Sequence, residues 1–287
     1  MSKPMINPEM SSLFMDFAQY FELTLALTEE QKADVFRVRY SVYCEEFGYE
    51  DAAQFKDGLE RDAFDEQSIH CLVIHKESGV PAGCVRLVNV EEGTRMPMED
   101  HCEGALDEEF FSHFEHRRSS MAEISRLAVE GQFRRRRGES ESRFGNTDSL
   151  HFAAREKRTF SLIAVSLFLA ASAVADLMRR KDCFAIMEPF LPAILRRTGV
   201  MVKRVGDDFD YKGVRAPYYL NIDEAIRGAP DELRLCYEVV RSQFAETLTP
   251  EAGLKASRGL PTTSPGSLVD TAPWLDLSRL TSFSFSK

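Results

Sequence analysis

The most telling features of this 287-residue chain are absences. It has no G-x-G-x-x-G fingerprint and no P-loop, so no dinucleotide or nucleoside triphosphate cradle is legible. It has no G-x-S-x-G elbow for a serine hydrolase. The six cysteines (Cys44, Cys71, Cys84, Cys102, Cys183 and Cys236) form no C-x-x-C pair and mostly sit in apolar runs, which reads as reduced core thiols in a cytoplasmic setting. Neither Cys44 nor Cys84 has a His placed by sequence to activate it. The opening segment "MSKPMINPEMSSLF" has no basic region followed by an apolar one, so no secretion signal is expected. The longest apolar run, Leu162 to Ala175, is shorter than the roughly 20 residues of a membrane span. Its five alanines and two serines suit a helix packed closely on a sheet. His113-x-x-His116 lies in an acidic stretch without a third ligand at matching spacing, so no metal is expected. There is no internal repeat.

Present instead is an ordinary globular composition, 44% hydrophobic and 29% charged, with a formal net charge of -10. An acidic chain of this kind is not expected to bind nucleic acid. The charge is uneven. Cys44 to Glu66 holds nine acids against Lys56 and Arg61, whereas Arg117 to Arg158 holds eleven bases against six acids.

Periodicity gives a coarse layout. Met10 to Tyr20 is amphipathic, and Phe21 to Leu27 alternates as a half-buried strand. Thr28 and Gln31 fit a capping box for a helix running to about Phe47. Ile69–His75 and Ala82–Val90 read as a hairpin around "KESGVP". Glu91 to Glu115 reads as an acidic connection, and Glu123–Val129 as a further strand. Then come the apolar helix over 161–180, a strand at Cys183–Glu188, a short helix, a terminal strand pair, "VMVKRV" and "APYYLNI", and a helix over Pro230–Leu248. The implied fold is α/β, a mixed central sheet flanked by helices. One domain is expected over 1–248, with a basic insertion at about 134–160. Residues 249–287, rich in Ser, Thr, Pro and Gly, are expected to be a flexible tail.

Four motifs occur in order. "FRVRYSVYCEEFGYE" supplies Arg39, Tyr43 and Tyr49; "GLERDAFD" supplies Asp62 and Asp65; "GCVRLV" supplies Arg86; "EISRLAV" supplies Glu123, Ser125 and Arg126. Together they resemble the Gcn5-related N-acyltransferase superfamily, and within it the acyl-homoserine lactone synthases. Tyr49 stands where those synthases usually carry tryptophan, and the insertion and tail are extra. In these respects the chain is more similar to the long-chain N-acyl amino acid synthases and, above all, to the acyltransferases associated with the exosortase (PEP-CTERM) sorting system.

The resemblance implies transfer of an acyl group from a carrier thioester to the amine of an amino-acid-like acceptor. Acyl-homoserine lactone synthesis is the second reading, and a non-catalytic acyl-thioester-binding or regulatory module the third. No tightly bound cofactor is implied; acyl carrier protein or coenzyme A would bring the acyl group. Glu123 is the candidate proton acceptor, or else a strand-end carboxylate that only pairs with Arg126. Arg39, Asp62, Asp65, Arg86 and Arg126 would form a network shaping the acceptor pocket, or else a structural ion-pair cluster. Tyr43 and Tyr49 would line that pocket or simply pack. Residues three apart on a regular strand face opposite ways, so Glu123 and Arg126 share a pocket only across a bulge. The backbone beyond Ser125, with Leu127 and Val129, would face the thioester and its pantetheine arm. Arg134, Arg135, Arg136 and Arg137 would dock an acidic carrier protein or the phosphates of coenzyme A. Phe168 and Met187 are candidate walls of the acyl slot.

Overall fold

The computed structural model describes residues 8–134, 161–189, 191–197 and 199–248. The expected tail, most of the basic insertion and Arg135, Arg136 and Arg137 lie outside these residues.

Helix α1 (Pro8–Tyr20) runs into strand β1 (Phe21–Leu25), and Thr28 then opens helix α2 (Glu29–Arg39). Its capping box is formed: Thr28 accepts from the Gln31 N–H while the Gln31 side chain accepts from the Thr28 N–H. A continuous helix to Phe47 is not what forms. From Tyr40 to Glu46 the winding loosens to a π-helix, a local change common at functional sites, and Tyr43 sits within it.

Strands β2 (Ser68–His75), β3 (Pro81–Asn89) and β4 (Met121–Val129) continue the sheet, followed by β5 (Asp182–Met187), β6 (Lys203–Arg204), β7 (Phe209–Asp210) and β8 (Val214–Asn221). The order is β1-β2-β3-β4-β5-β8-β6, with β7 also paired to β8. Every pairing is antiparallel except β4 with β5. The expected strand over "VMVKRV" shrinks to two paired residues, Lys203 and Arg204. The Glu91–Glu115 connection holds two short helices instead of plain loop, α3 (Pro97–His101) and α4 (Glu108–Ser112). Pro97 and the reciprocal bond between the Met96 N–H and Glu99 mark the start of α3. A single turn, α5 (Gly131–Arg134), follows β4.

The apolar helix α6 (Ser161–Leu177) crosses one sheet face with α9 (Asp231–Ala245), and together with α1 they bury the main core. Helix α2 covers the other face through Val35, Val38 and Val42. Helices α7 (Leu191–Arg197) and α8 (Ile222–Gly228) close the ends of β5 and β8. Among the described residues no helix is long and apolar enough to cross a membrane. All six cysteines are buried and unbridged.

The sheet approaches α6 closely at Gly83. A Cβ there would lie 2.8 Å from the Ala128 carbonyl oxygen, 3.1 Å from Leu167 and 3.2 Å from Ile163. Gly83→Ala is therefore expected to cost about 1–3 kcal/mol by overpacking, read as a lowered urea midpoint with an unchanged slope.

Candidate active site

Strand β4 carries the site and is irregular where the chemistry requires it. Ser125 pairs with Arg86 and Ala128 with Cys84, so Arg126 and Leu127 together stand opposite Val85. This is the expected bulge. Arg126 takes a left-handed conformation, φ 53°, uncommon for a bulky residue and typical of functional sites. The extra residue brings Arg126 to the face that already holds Glu123 and Ser125. On its other edge β4 pairs with β5 only over Met121–Glu123 against Asp182–Phe184. Beyond Glu123 the two parallel strands no longer pair, so Ser125 to Val129 have no partner on β5.

Three arginines meet the carboxylates of the loop over 58–67 on this face. Arg39 and Arg86, both 0% exposed, are the largest fully buried side chains in the protein's described part. Arg39 donates through Nε to Glu60 and through Nη1 to Asp65 Oδ1 at 2.7 Å. Arg86 Nη1 donates to Asp62 Oδ1 at 2.6 Å and to Asp65 Oδ1 at 2.9 Å, and its Nε to Ser125 Oγ at 3.1 Å. Arg126 Nη2 lies 2.9 Å from Asp62 Oδ2, 3.4 Å from Glu60 Oε1 and 3.5 Å from Glu50 Oε1. Asp62 and Asp65 also build the turn that presents them: Asp62 caps the 3-10 turn Ala63–Gln67 through the Phe64 N–H, and Asp65 Oδ2 accepts from the Asp62 N–H. The network reading and the structural reading of the two aspartates thus describe the same atoms.

Burial opposes the charge on Asp65, but Arg39 and Arg86 outweigh it and hold its carboxyl well below the usual carboxylate range. Asp62 is lowered too: Arg86 and Arg126 overcome burial and the neighbouring Asp65 charge. His70 Nε2 lies 3.7 Å from Asp65 Oδ1. Burial, reinforced by Arg39 and Arg86, pushes the imidazole down to about 3 despite Asp65, so His70 is neutral.

Glu123 behaves in the opposite way. It is 1% exposed and makes one strong bond, from the Met98 N–H to Oε2 at 2.7 Å. Burial pushes its carboxyl up to about 8, against the Met98 bond, Arg86 and Arg126. The result is a carboxyl near neutrality beside a cluster of ionised aspartates, a separation of acid strengths that marks acid–base sites.

Tyr43 donates to the Leu127 carbonyl at 3.0 Å, tying the π-helix to the bulged strand, and the Arg126 guanidinium stands 5.8 Å from its ring centre. Tyr49 stacks on Phe47 at 5.1 Å and on Tyr43 at 6.4 Å. Leu127 is partly buried and Val129 buried, both against the main core. Two surface clefts, of about 580 Å³ around Asp176, Lys181 and Arg241 and about 520 Å³ around Gly104 and Arg204, include none of these residues.

Some expected residues stand elsewhere. Arg134 does not offer a free guanidinium for docking: it pairs with Glu46, donates from Nε to the Val129 carbonyl at 2.6 Å and lies 4.9 Å from the Phe47 ring centre. Phe168 and Met187 occupy separate apolar clusters, linked through Leu195 and Val202, which pack on both. Sequence reading missed Glu60, Glu50, His70, Lys212 and the Met98 N–H. Glu60 sits inside the quoted "GLERDAFD", and its place two residues before Asp62 was the available signal. Lys212 and Met98 had none, because they arrive from distant connections. Among the described residues no group of three or more His, Cys, Asp or Glu is arranged to hold a metal ion.

Residues 38–141 match the acetyltransferase (GNAT) domain family. The matched stretch contains every residue of the arginine–carboxylate network together with Glu123. An acyl-homoserine-lactone synthase of Aeromonas hydrophila is 23% identical over 216 residues, covering 71% of this chain and 91% of the relative. Among solved structures, TofI in a ternary complex with an inhibitor and MTA superposes with a TM-score of 0.52 at 18% identity, over 74% of this chain and 96% of that one. FeeM, an N-acyl amino acid synthase from uncultured soil microbes, gives a TM-score of 0.49 at 13% identity over 73% and 94%. The fold is a GNAT-like α/β fold, as the motif order implied.

Proposed function

We propose that the chain is an N-acyltransferase that moves an acyl group from a carrier thioester to the amine of an amino-acid-like acceptor. The observation that carries this reading is the buried Glu123 carboxyl, raised to about 8, on the strand whose bulge places Arg126 beside it. An amino acid enters mainly as the ammonium form, and the ionised fraction of Glu123, which grows as the pH rises toward 8, is a base of suitable strength to remove its proton. The parted ends of β4 and β5 leave room for the thioester, whose carbonyl oxygen gains charge during attack. Backbone N–H groups along Ser125–Val129 would oppose that charge. Glu123 takes one proton from the ammonium, the freed amine nitrogen bonds to the acyl carbon, the C–S bond breaks, and the second proton lost by the nitrogen passes to the departing carrier thiolate.

Acyl carrier protein is the donor favoured by the basic segment after β4, with acyl coenzyme A as the other source. An association with the exosortase (PEP-CTERM) system is the finer reading from the sequence motifs, and a cytoplasmic setting the reading from the scattered cysteines. Homoserine lactone synthesis is the second reading, favoured by the Aeromonas relative.

The test is thiol release from acyl carrier protein and acyl coenzyme A thioesters in the presence of free amino acids, with products read by mass spectrometry. An N-acyl amino acid is the expected product. A lactone formed only with a sulfonium donor would favour the second reading, and no thiol release with any amine would exclude acyl transfer.

A further inference from the structure

We propose that the Glu50 carboxylate is an internal stand-in for the acceptor's carboxylate, and that Lys212 and Arg126, which hold it, select acceptors bearing that group. The inference rests on the N-acyltransferase reading and names the feature by which the site would recognise its amine.

The turn of the β7–β8 hairpin reaches the arginine–carboxylate cluster through Lys212. Its turn residues Lys212, φ 55°, and Gly213, φ 99°, are both left-handed, and the Tyr211 N–H is bonded to the Gly213 carbonyl, so the direction of Lys212 is fixed by the turn. Tyr211 stacks on His101 of α3 at 4.4 Å, anchoring the hairpin to the helix whose first turn holds Glu123. From there Lys212 Nζ pairs with Glu50 Oε1, the same oxygen that lies 3.5 Å from Arg126 Nη2. One carboxylate oxygen is thus shared by a cation from β4 and a cation from the β7–β8 turn.

Charge balance indicates what can enter. Arg39, Arg86, Arg126 and Lys212 face Glu50, Glu60, Asp62 and Asp65, so the cluster is neutral while Glu123 is protonated. An anionic group can therefore pair with Lys212 and Arg126 only by displacing a carboxylate that already holds them. Glu60 is 1% exposed and bonded to Arg39, and Asp65 is held by two arginines and a backbone N–H. Asp62 caps its own turn and binds two arginines. Glu50 is the loosest: its side chain, 23% exposed against 26% for Asp62, caps nothing and is held by no arginine closer than 3.5 Å, and it lies two residues after Gly48, which has a φ of 62°. Its departure would leave Lys212 and Arg126 with an open anion position. The Arg126 Nε, buried and without a partner, adds a donor at the same guanidinium. An amino acid carboxylate seated there would lie beside Arg126, whose other close partner is Asp62.

The test uses the full chain and two readouts. Calorimetric titration of the free proteinogenic amino acids and of their methyl esters reports binding without turnover; thiol release from an acyl thioester reports KM for the same pairs. Lys212→Met is expected to weaken the free acids about tenfold more than the esters, and Glu50→Gln to tighten the free acids severalfold relative to the esters, in both readouts. Equal effects on acid and ester, or no change on Glu50→Gln, would overturn the proposal, as would failure of every free amino acid to bind the wild-type chain. Binding with the expected Lys212 dependence but no thiol release with any amine would sustain this inference and sink the acyl-transfer reading instead.

Discussion

Glu123→Gln is expected to lower kcat by roughly 10²- to 10⁴-fold, the range for loss of a positioned proton acceptor, while the chain stays folded. Gln keeps an oxygen for the Met98 N–H, so the start of α3 is preserved and the lost function is proton acceptance. In the wild type, kcat/KM should rise with pH through a midpoint near 8, where the Glu123 carboxyl ionises, and the variant should lose that limb. Stability gives a second, independent reading. The folded carboxyl is raised to about 8 from an ordinary value of 4.5. Between those values the unfolded chain has released a proton that the folded chain still holds. The slope of unfolding free energy with pH is therefore negative there, and wild-type stability falls as pH rises through the window. The variant has no such group, so its stability relative to wild type should climb from pH 5 to pH 8.5 in urea titrations. If Glu123 serves only to receive the Met98 N–H, kcat will be unchanged.

The parts of the site that were legible in the sequence are those whose motifs fix both residue type and spacing. Arg39, Asp62, Asp65, Arg86, Ser125 and Arg126 converge as the motif order implied, and the demand for a bulge between Glu123 and Arg126 followed from strand geometry alone. What escaped depends on tertiary crossings. Glu50 and Lys212 are 162 positions apart in the sequence and meet only because a two-residue strand turns the chain back over the arginine–carboxylate cluster. Glu60 was hidden in an acidic run that reads as solvated loop, although it is buried against Arg39. The continuous helix to Phe47 failed because periodicity does not distinguish an α turn from the π turn that carries Tyr43. Helices α3 and α4 are five residues each and too short for an amphipathic pattern, yet α3 supplies the N–H that orients Glu123.

Arg39→Met tests the other half of the site, with a large expected effect on folding. Arg39 is fully buried and is the cation between Glu60 and Asp65. Burial works against its charge, and the two carboxylates outweigh burial and hold the guanidinium above its ordinary value. Removing it leaves Glu60 with Arg126 alone, at 3.4 Å, and Asp65 with Arg86 and a neutral His70. Truncating one partner of a buried pair costs about 3–5 kcal/mol, because the surviving charge stays desolvated. Much of that loss should return in the double variant Arg39→Met, Glu60→Gln, which removes one of the stranded charges; replacing a whole buried pair by uncharged groups is often near neutral. Urea unfolding of the wild type, both single variants and the double variant closes the cycle. A coupling below about 1 kcal/mol would mean that the pair behaves like a solvated surface bridge. A large coupling would make the Arg39 pair the rigid floor on which the looser Glu50 and Arg126 contact can exchange.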